Sequence, residues 1–137
     1  MKNLRYILAA LVVLLMATAA HAQQPTLTGT IPFNFVVGDR AYPAGDYVFR
    51  HSDNVITITN AQQSKTEMAV SNACGGSTPS KNSKLVFERM GGYYFLRQIW
   101  VVGYSQGREL PRSRTEVRLA QNHEKPESII VAADISR

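Results

Sequence analysis

The residues with the most chemical character are four arginines, Arg108, Arg112, Arg114 and Arg118, with Glu109 and Glu116 set among them. Arginine presents a planar, permanently charged fork that suits carboxylates and phosphates. Four within eleven positions could gather an anion: an acidic polysaccharide, a lipid headgroup or an acidic protein. The competing use of such a run is a solvated face whose arginines pair with the protein's own carboxylates. Tyr93 and Phe95, on a neighbouring strand, could add stacking for a sugar ring or lie covered by the segment that carries the arginines. These six residues are the candidate ligand-binding set.

No catalytic constellation stands beside them. The single cysteine, Cys74, has no local base. Outside the first 22 positions the histidines are His51 and His123, and neither has a partner at metal-ligand spacing. His51 suits a turn and His123 a helix terminus. Asp39, Asp46 and Glu88 are the acids that could enter a paired-carboxylate site, and Glu88 alone falls inside an aromatic strand. There is no G-x-S-x-G, no EF-hand spacing and no glycine-rich phosphate loop. The sequence gives no catalytic residue, no metal site and no cofactor to expect, and it leans away from an enzyme.

The charge balance narrows the partners. The chain of 137 residues holds 15 basic and 10 acidic side chains. Without Lys2 and Arg5 the balance is 13 to 10, too mild for a nucleic-acid-binding stripe. Residues 1–22 read as a cleaved signal peptide. Lys2 and Arg5 make a positive start, Tyr6–Ala17 is a short apolar run, and Ala20-His21-Ala22 fits the small-residue pattern that signal peptidase cuts after. The apolar run is short for a membrane span. The expected product is an exported domain, periplasmic or secreted, that starts at Gln23 and does not span the membrane after cleavage. With one cysteine it has no internal disulfide. A homodimer stays open, through Cys74 or an unpaired strand edge.

Residues 23–137 read as one β domain. The hairpin Lys84–Trp100 organises it. Gly91-Gly92 supplies the positive φ of a two-residue turn, so Met90 should pair with Tyr93, Arg89 with Tyr94 and Phe87 with Leu96. Strict alternation then places Leu85, Phe87, Tyr94, Leu96 and Trp100 on a core face, and Val86, Glu88, Phe95, Arg97 and Ile99 on a mixed one. Glu88 and Arg97 are diagonal neighbours that could form an ion pair. Thr30–Val37 alternates as a single strand, with Pro32 at an edge. Asp46–Arg50 and Val55–Thr59 are strands, and Thr66–Ser71 is a weaker one. Asn72–Ser83 reads as a mobile loop and Tyr104–Pro111 as a second loop. Ser113-Arg114-Thr115-Glu116 is a capping box that should start a short helix over 114–122, stopped by Pro126. Ser128–Ala133 is read as a closing strand. The whole is all-β: a small antiparallel sandwich or partly open barrel of about seven strands with one short C-terminal helix.

Four segments in combination carry a resemblance. They are Ile31–Gly38, Pro43–Tyr47, the hairpin pieces Lys84–Phe87, Tyr94–Leu96 and Ile99-Trp100, and Gly107–Glu116. Together they resemble a group of small exported bacterial β-proteins of unknown function. The resemblance spans roughly Ile31 to Gln121 and implies export and a β domain, with no site to carry over.

Three functions follow as expectations. The first is an exported, non-enzymatic binding or cell-envelope interaction module. The second is a small-ligand carrier whose hollow interior would be lined by Phe33, Phe35, Phe49 and Trp100. The third is a small envelope hydrolase.

Overall fold

The computed structural model describes residues 2–16 and 24–136. In chain order the elements are α1 (Lys2–Met16), β1 (Thr26–Ile31), β2 (Phe35–Val37), β3 (Arg40–Tyr42), β4 (Gly45–Ser52), β5 (Val55–Asn60) and β6 (Lys65–Val70). There follow β7 (Asn72–Gly75), β8 (Lys84–Met90), β9 (Tyr93–Trp100), β10 (Gln106–Glu109), α2 (Arg114–Gln121), β11 (Glu127–Ala132) and β12 (Asp134–Ser136). One sheet runs β12-β1-β4-β5-β6. The other runs β11-β8-β9-β10-β7, with β2 beside β9 and β3 beside β2. Every pairing is antiparallel except β2 with β9, where Val36 lies opposite Phe95. The two sheets form a sandwich and not a closed barrel.

The core is the set of inward residues that alternation puts on each sheet. Leu27, Ile31, Tyr47, Phe49, Ile56 and Ile58 come from the first sheet, and Phe35, Val37, Leu85, Phe87, Leu96 and Ile99 from the second, joined by Leu110 just past β10. Phe87 is fully buried, with Phe33 and Phe35 edge-on to it at centroid distances of 5.0 and 5.6 Å. Tyr47 is buried in one piece with its hydroxyl, which donates to the Pro43 carbonyl at 2.6 Å and accepts from Asn60 Nδ2 at 3.1 Å. Of the aromatics meant to line a hollow, Phe35 and Phe49 instead fill the interior, at 1% and 2% exposed, and Phe33 packs against it.

Three local expectations are corrected. Thr30–Val37 is not one strand. The chain leaves the first sheet after Ile31 and enters the second at Phe35. Pro32, which cannot donate to a ladder, marks the crossing, and the Asn34 side chain accepts the Ala44 N–H at 3.0 Å to fix the corner. Second, the segment 72–83 is only partly loop. Asn72–Gly75 is β7, paired with β10 from Asn72 opposite Glu109 to Gly75 opposite Gln106. Third, the stretch Tyr104–Pro111 is not all loop, because Gln106–Glu109 is β10, held between β7 and β9. The glycines and polar residues that suggested loops are short strands stabilised by neighbours far away in the chain. These divisions, with the short strands β3 and β12, raise the strand number from about seven to twelve among the described residues.

Other expectations hold. β11 closes the second sheet along β8, with Ile129 opposite Phe87. The hairpin turn is Gly91-Gly92, with φ of 58° and 79°. α2 begins at the capping box: Ser113 Oγ accepts the Glu116 N–H at 3.0 Å, and Glu116 Oε2 accepts the Ser113 N–H at 3.2 Å. His123, just past α2, takes a φ of 61°.

β6 ends the first sheet, and its exposed ladder is guarded. Glu67 points inward at that edge with a side chain only 15% exposed, bridged to Lys65 at 3.1 Å and to Arg40 at 3.5 Å. An inward charge is a common defence against edge-to-edge pairing.

α1 is of a different kind. Leu4, Ile7, Leu8, Leu11 and Val12 are each more than half exposed. Among the described residues no helix is long and apolar enough to cross a membrane. The proposed cleavage site at Ala20-His21-Ala22 lies outside the described residues.

Phe87→Ala removes the ring on which both Phe33 and Phe35 pack. The expected loss is about 3–5 kcal/mol of unfolding free energy, measured by urea denaturation.

Candidate binding site

The site arises from a single break in the hairpin register. From the turn outward, Met90 pairs with Tyr93, Arg89 with Tyr94, Glu88 with Phe95 and Phe87 with Leu96, as alternation requires. The next pair is Val86 with Gln98, so Arg97 is an extra residue on β9 with no opposite number. Such a bulge inverts the in–out alternation beyond it. Ile99, opposite Leu85, turns into the core at 6% exposure. Trp100, opposite Lys84, turns out of it. The assignment of Trp100 to the core face and Ile99 to the mixed face is thus reversed.

Outside, Trp100 lies in a slot made by two glycines. A side chain on Gly107 of β10 would come within 2.8 Å of the indole Cδ2, and one on Gly75 of β7 within 3.1 Å of Cη2. The indole rests flat against two strands because neither carries a Cβ there. Gln98 Oε1 accepts the indole N–H at 3.0 Å, and the Lys84 ammonium stands 6.0 Å from the ring centroid. Trp100, Lys84, Lys81, Ser80 and Asn82 surround a shallow depression of about 400 Å³. The fixed ring and its lysines make an exposed surface that combines an aromatic face with positive charge.

The bulged residue itself is 8% exposed and holds α2 to the sheet. Arg97 Nη1 donates to the Leu110 carbonyl at 2.7 Å, and Nη2 to Glu109 Oε1 at 3.3 Å. Its Nε stands 3.6 Å from Glu116 and 3.8 Å from Glu88. Arg112 approaches the same two carboxylates at 3.6 and 3.8 Å. Two arginines thus meet three glutamates under the helix. The expected Glu88–Arg97 pair is present, but it is sheltered rather than solvated. Glu116 is 1% exposed, and its Oε1 has no hydrogen-bond partner. Burial pushes its carboxyl above the ordinary value of 4.5, against the opposite pull of Arg97, the Ser113 N–H and Arg112. Contacts of 3.6 Å without a hydrogen bond do not replace the lost water.

The six candidate residues are dispersed. Arg108 reaches inward at the open end of the sandwich, where Nε donates to Ser71 Oγ at 3.0 Å and Nη2 to the Ser71 carbonyl at 2.8 Å and Asn54 Oδ1 at 3.2 Å. It ties β10 to the opposite sheet. Arg112 belongs to the ion network. Arg114 and Arg118 are exposed on α2, and the Arg114 N–H donates to Asp39 Oδ1 at 3.3 Å. Tyr93 is exposed, whereas Phe95 is 2% exposed and stacked beneath it at 5.9 Å, so Phe95 offers no face to a ligand. The four arginines face at least two different regions and do not form one anion site.

The remaining reactive groups do not assemble either. Cys74 lies opposite Gly107, and burial raises its thiol pKa, with Glu109 adding to the effect. That makes it less nucleophilic. His51 shares a cleft of about 140 Å³ with Arg108 and Tyr104 at the open end of the sandwich. Burial lowers the His51 pKa, and the Arg108 charge lowers it further. This volume is well below the roughly 300 Å³ at which small-molecule pockets begin. Among the described residues no three His, Cys, Asp or Glu converge as a metal-ligand set.

Compared with family models, curated proteins and solved structures, the chain matches none.

Sequence reasoning missed the Trp100 surface because its signal was indirect. Gly107 and Gly75 carry no stacking chemistry of their own, and an arginine within a strand does not announce a bulge.

Two outcomes check this geometry. Gly107→Val drives a side chain into the indole and into the Ile99 carbonyl, 2.9 Å from the added Cβ. It should shift the emission of Trp100 to longer wavelength and lower the melting temperature. For Glu116 the folded state holds the proton more tightly than the unfolded state. Its contribution is therefore fully present below pH 4.5 and is lost as pH rises through the folded value. Glu116→Gln, which retains a capping-box residue, should flatten the fall in melting temperature between that pH and neutrality relative to the native chain.

Proposed function

We propose that the chain is an exported, non-enzymatic β domain that serves as a binding or cell-envelope interaction module. The observation that carries this reading is the placement of Trp100, the one tryptophan of the chain. Its indole is turned outward, held flat by Gly107 and Gly75 and pinned through its N–H to Gln98. An aromatic ring fixed before its ligand arrives loses little freedom on binding, which favours a contact role. The buried charges around Arg97 are committed to holding α2, which leaves them unsuited to moving protons to and from a substrate.

Export is supported by α1 together with the sequence before Gln23. An apolar helix whose side chains stay in water adds nothing to the fold. Such a segment suits a leader that is inserted and removed.

Two measurements test the reading together. The mass of the chain recovered outside the cytoplasm should correspond to a start at Gln23, and the purified chain should co-sediment with isolated envelope material. Recovery of the full-length chain from the cytoplasm would overturn export, and an absence of co-sedimentation would overturn the envelope as its partner.

A further inference from the structure

We infer that the Trp100 surface is a subsite for an acidic polysaccharide, a chain of sugar rings bearing carboxylates. This rests on the reading of the domain as a binding module and names its ligand class.

The argument starts from the ring. One face of the indole is taken up by Gly107 and Gly75. The ring also borders the depression with Ser80, Lys81, Asn82 and Lys84. A flat aromatic face stacks well on the C–H face of a pyranose, and hydroxyl and amide side chains at its margin suit sugar hydroxyls. Lys84 already stands over the ring, and Lys81 is exposed beside it. A carboxylate on a stacked sugar would meet an ammonium group without any change of fold.

The surroundings favour an extended ligand. The depression continues into a second one of about 700 Å³ that shares Lys81, Asn82 and Lys84 and reaches Ile130 and Ile135 along the sheet edge. Asp134 also lines this second depression, whereas the lining beside the indole carries Lys81 and Lys84 and no carboxylate. A membrane surface fits less well. Bilayer insertion uses protruding apolar side chains, whereas this indole lies flat and half-buried behind hydrogen-bonding residues.

Trp100 reports its own occupancy, because no other tryptophan contributes to emission. The exported chain would be titrated with tetragalacturonate, with maltotetraose and with phosphatidylglycerol vesicles while Trp100 fluorescence is followed. Tetragalacturonate should give a saturable change that weakens with salt, and maltotetraose should bind about tenfold more weakly or not at all. The variant Lys81→Gln/Lys84→Gln should keep the native melting temperature and lose about tenfold in affinity for tetragalacturonate. The inference is overturned if tetragalacturonate leaves the emission unchanged, if only the vesicles change it, or if the double variant binds as tightly as the native chain. Envelope co-sedimentation separates this from the broader reading. Retained co-sedimentation without uronate binding would sink the subsite and leave the module standing. Uronate binding without co-sedimentation would keep the subsite and the binding role and remove only the envelope as its partner.

Discussion

The bulge at Arg97 is the constraint on which the outer half of the structure depends. A β-strand has a side-chain period of two, so one inserted residue exchanges the two faces for everything beyond it. In this hairpin the exchange puts Ile99 inside with Leu85 and Trp100 outside with Lys84. The same residue joins Leu110, just past β10, twice: its carbonyl accepts the Leu110 N–H at 2.8 Å, and its guanidinium donates to the Leu110 carbonyl. One irregularity thus completes the core, turns an aromatic ring outward and supplies the charge that faces α2.

The helix shows how burial and charge compete. α2 has few apolar residues, and its buried member is Glu116. Its attachment depends on Leu119 lying where a Gly91 side chain would be, 2.9 Å away, and on carboxylates facing Arg97 and Arg112. Buried ion pairs often add little net stability over apolar packing, but removing one partner strands the others. The network is best understood as fixing where the helix sits. Glu116 serves two roles, closing the capping box through Oε2 and facing the arginines through Oε1.

Much of this was legible in the sequence where local chemistry decides the outcome. Gly91-Gly92 dictates its own turn, VITIT its own strand, and Ser113 with Glu116 its own helix start. The inward aromatics Phe33, Phe35 and Phe49 were placed by alternation, although their tight packing leaves no hollow for a carrier. What stayed hidden is set by distant partners. Asn72–Gly75 is a strand only because β10 lies beside it, and Thr30–Val37 divides only because there are two sheets to divide between. The bulge is the clearest case. Local alternation is correct up to Leu96 and inverted after Arg97, whose guanidinium meets the carboxylates of Glu88, Glu109 and Glu116 from three separate segments. The candidate site was misplaced for the same reason. The arginine run looked like one surface, yet Arg108 and Arg112 turn to different partners at different places.

The central claim is that the register break at Arg97 sets Trp100 outside the core. Nuclear Overhauser contacts test it most directly. The account predicts contacts from the Trp100 indole to the α-protons of Gly107 and Gly75, with cross-strand contacts joining Val86 to Gln98 and Phe87 to Leu96. An unbroken ladder in which Arg97 has a direct cross-strand partner, with Trp100 in contact with Phe87 or Phe49, would contradict it.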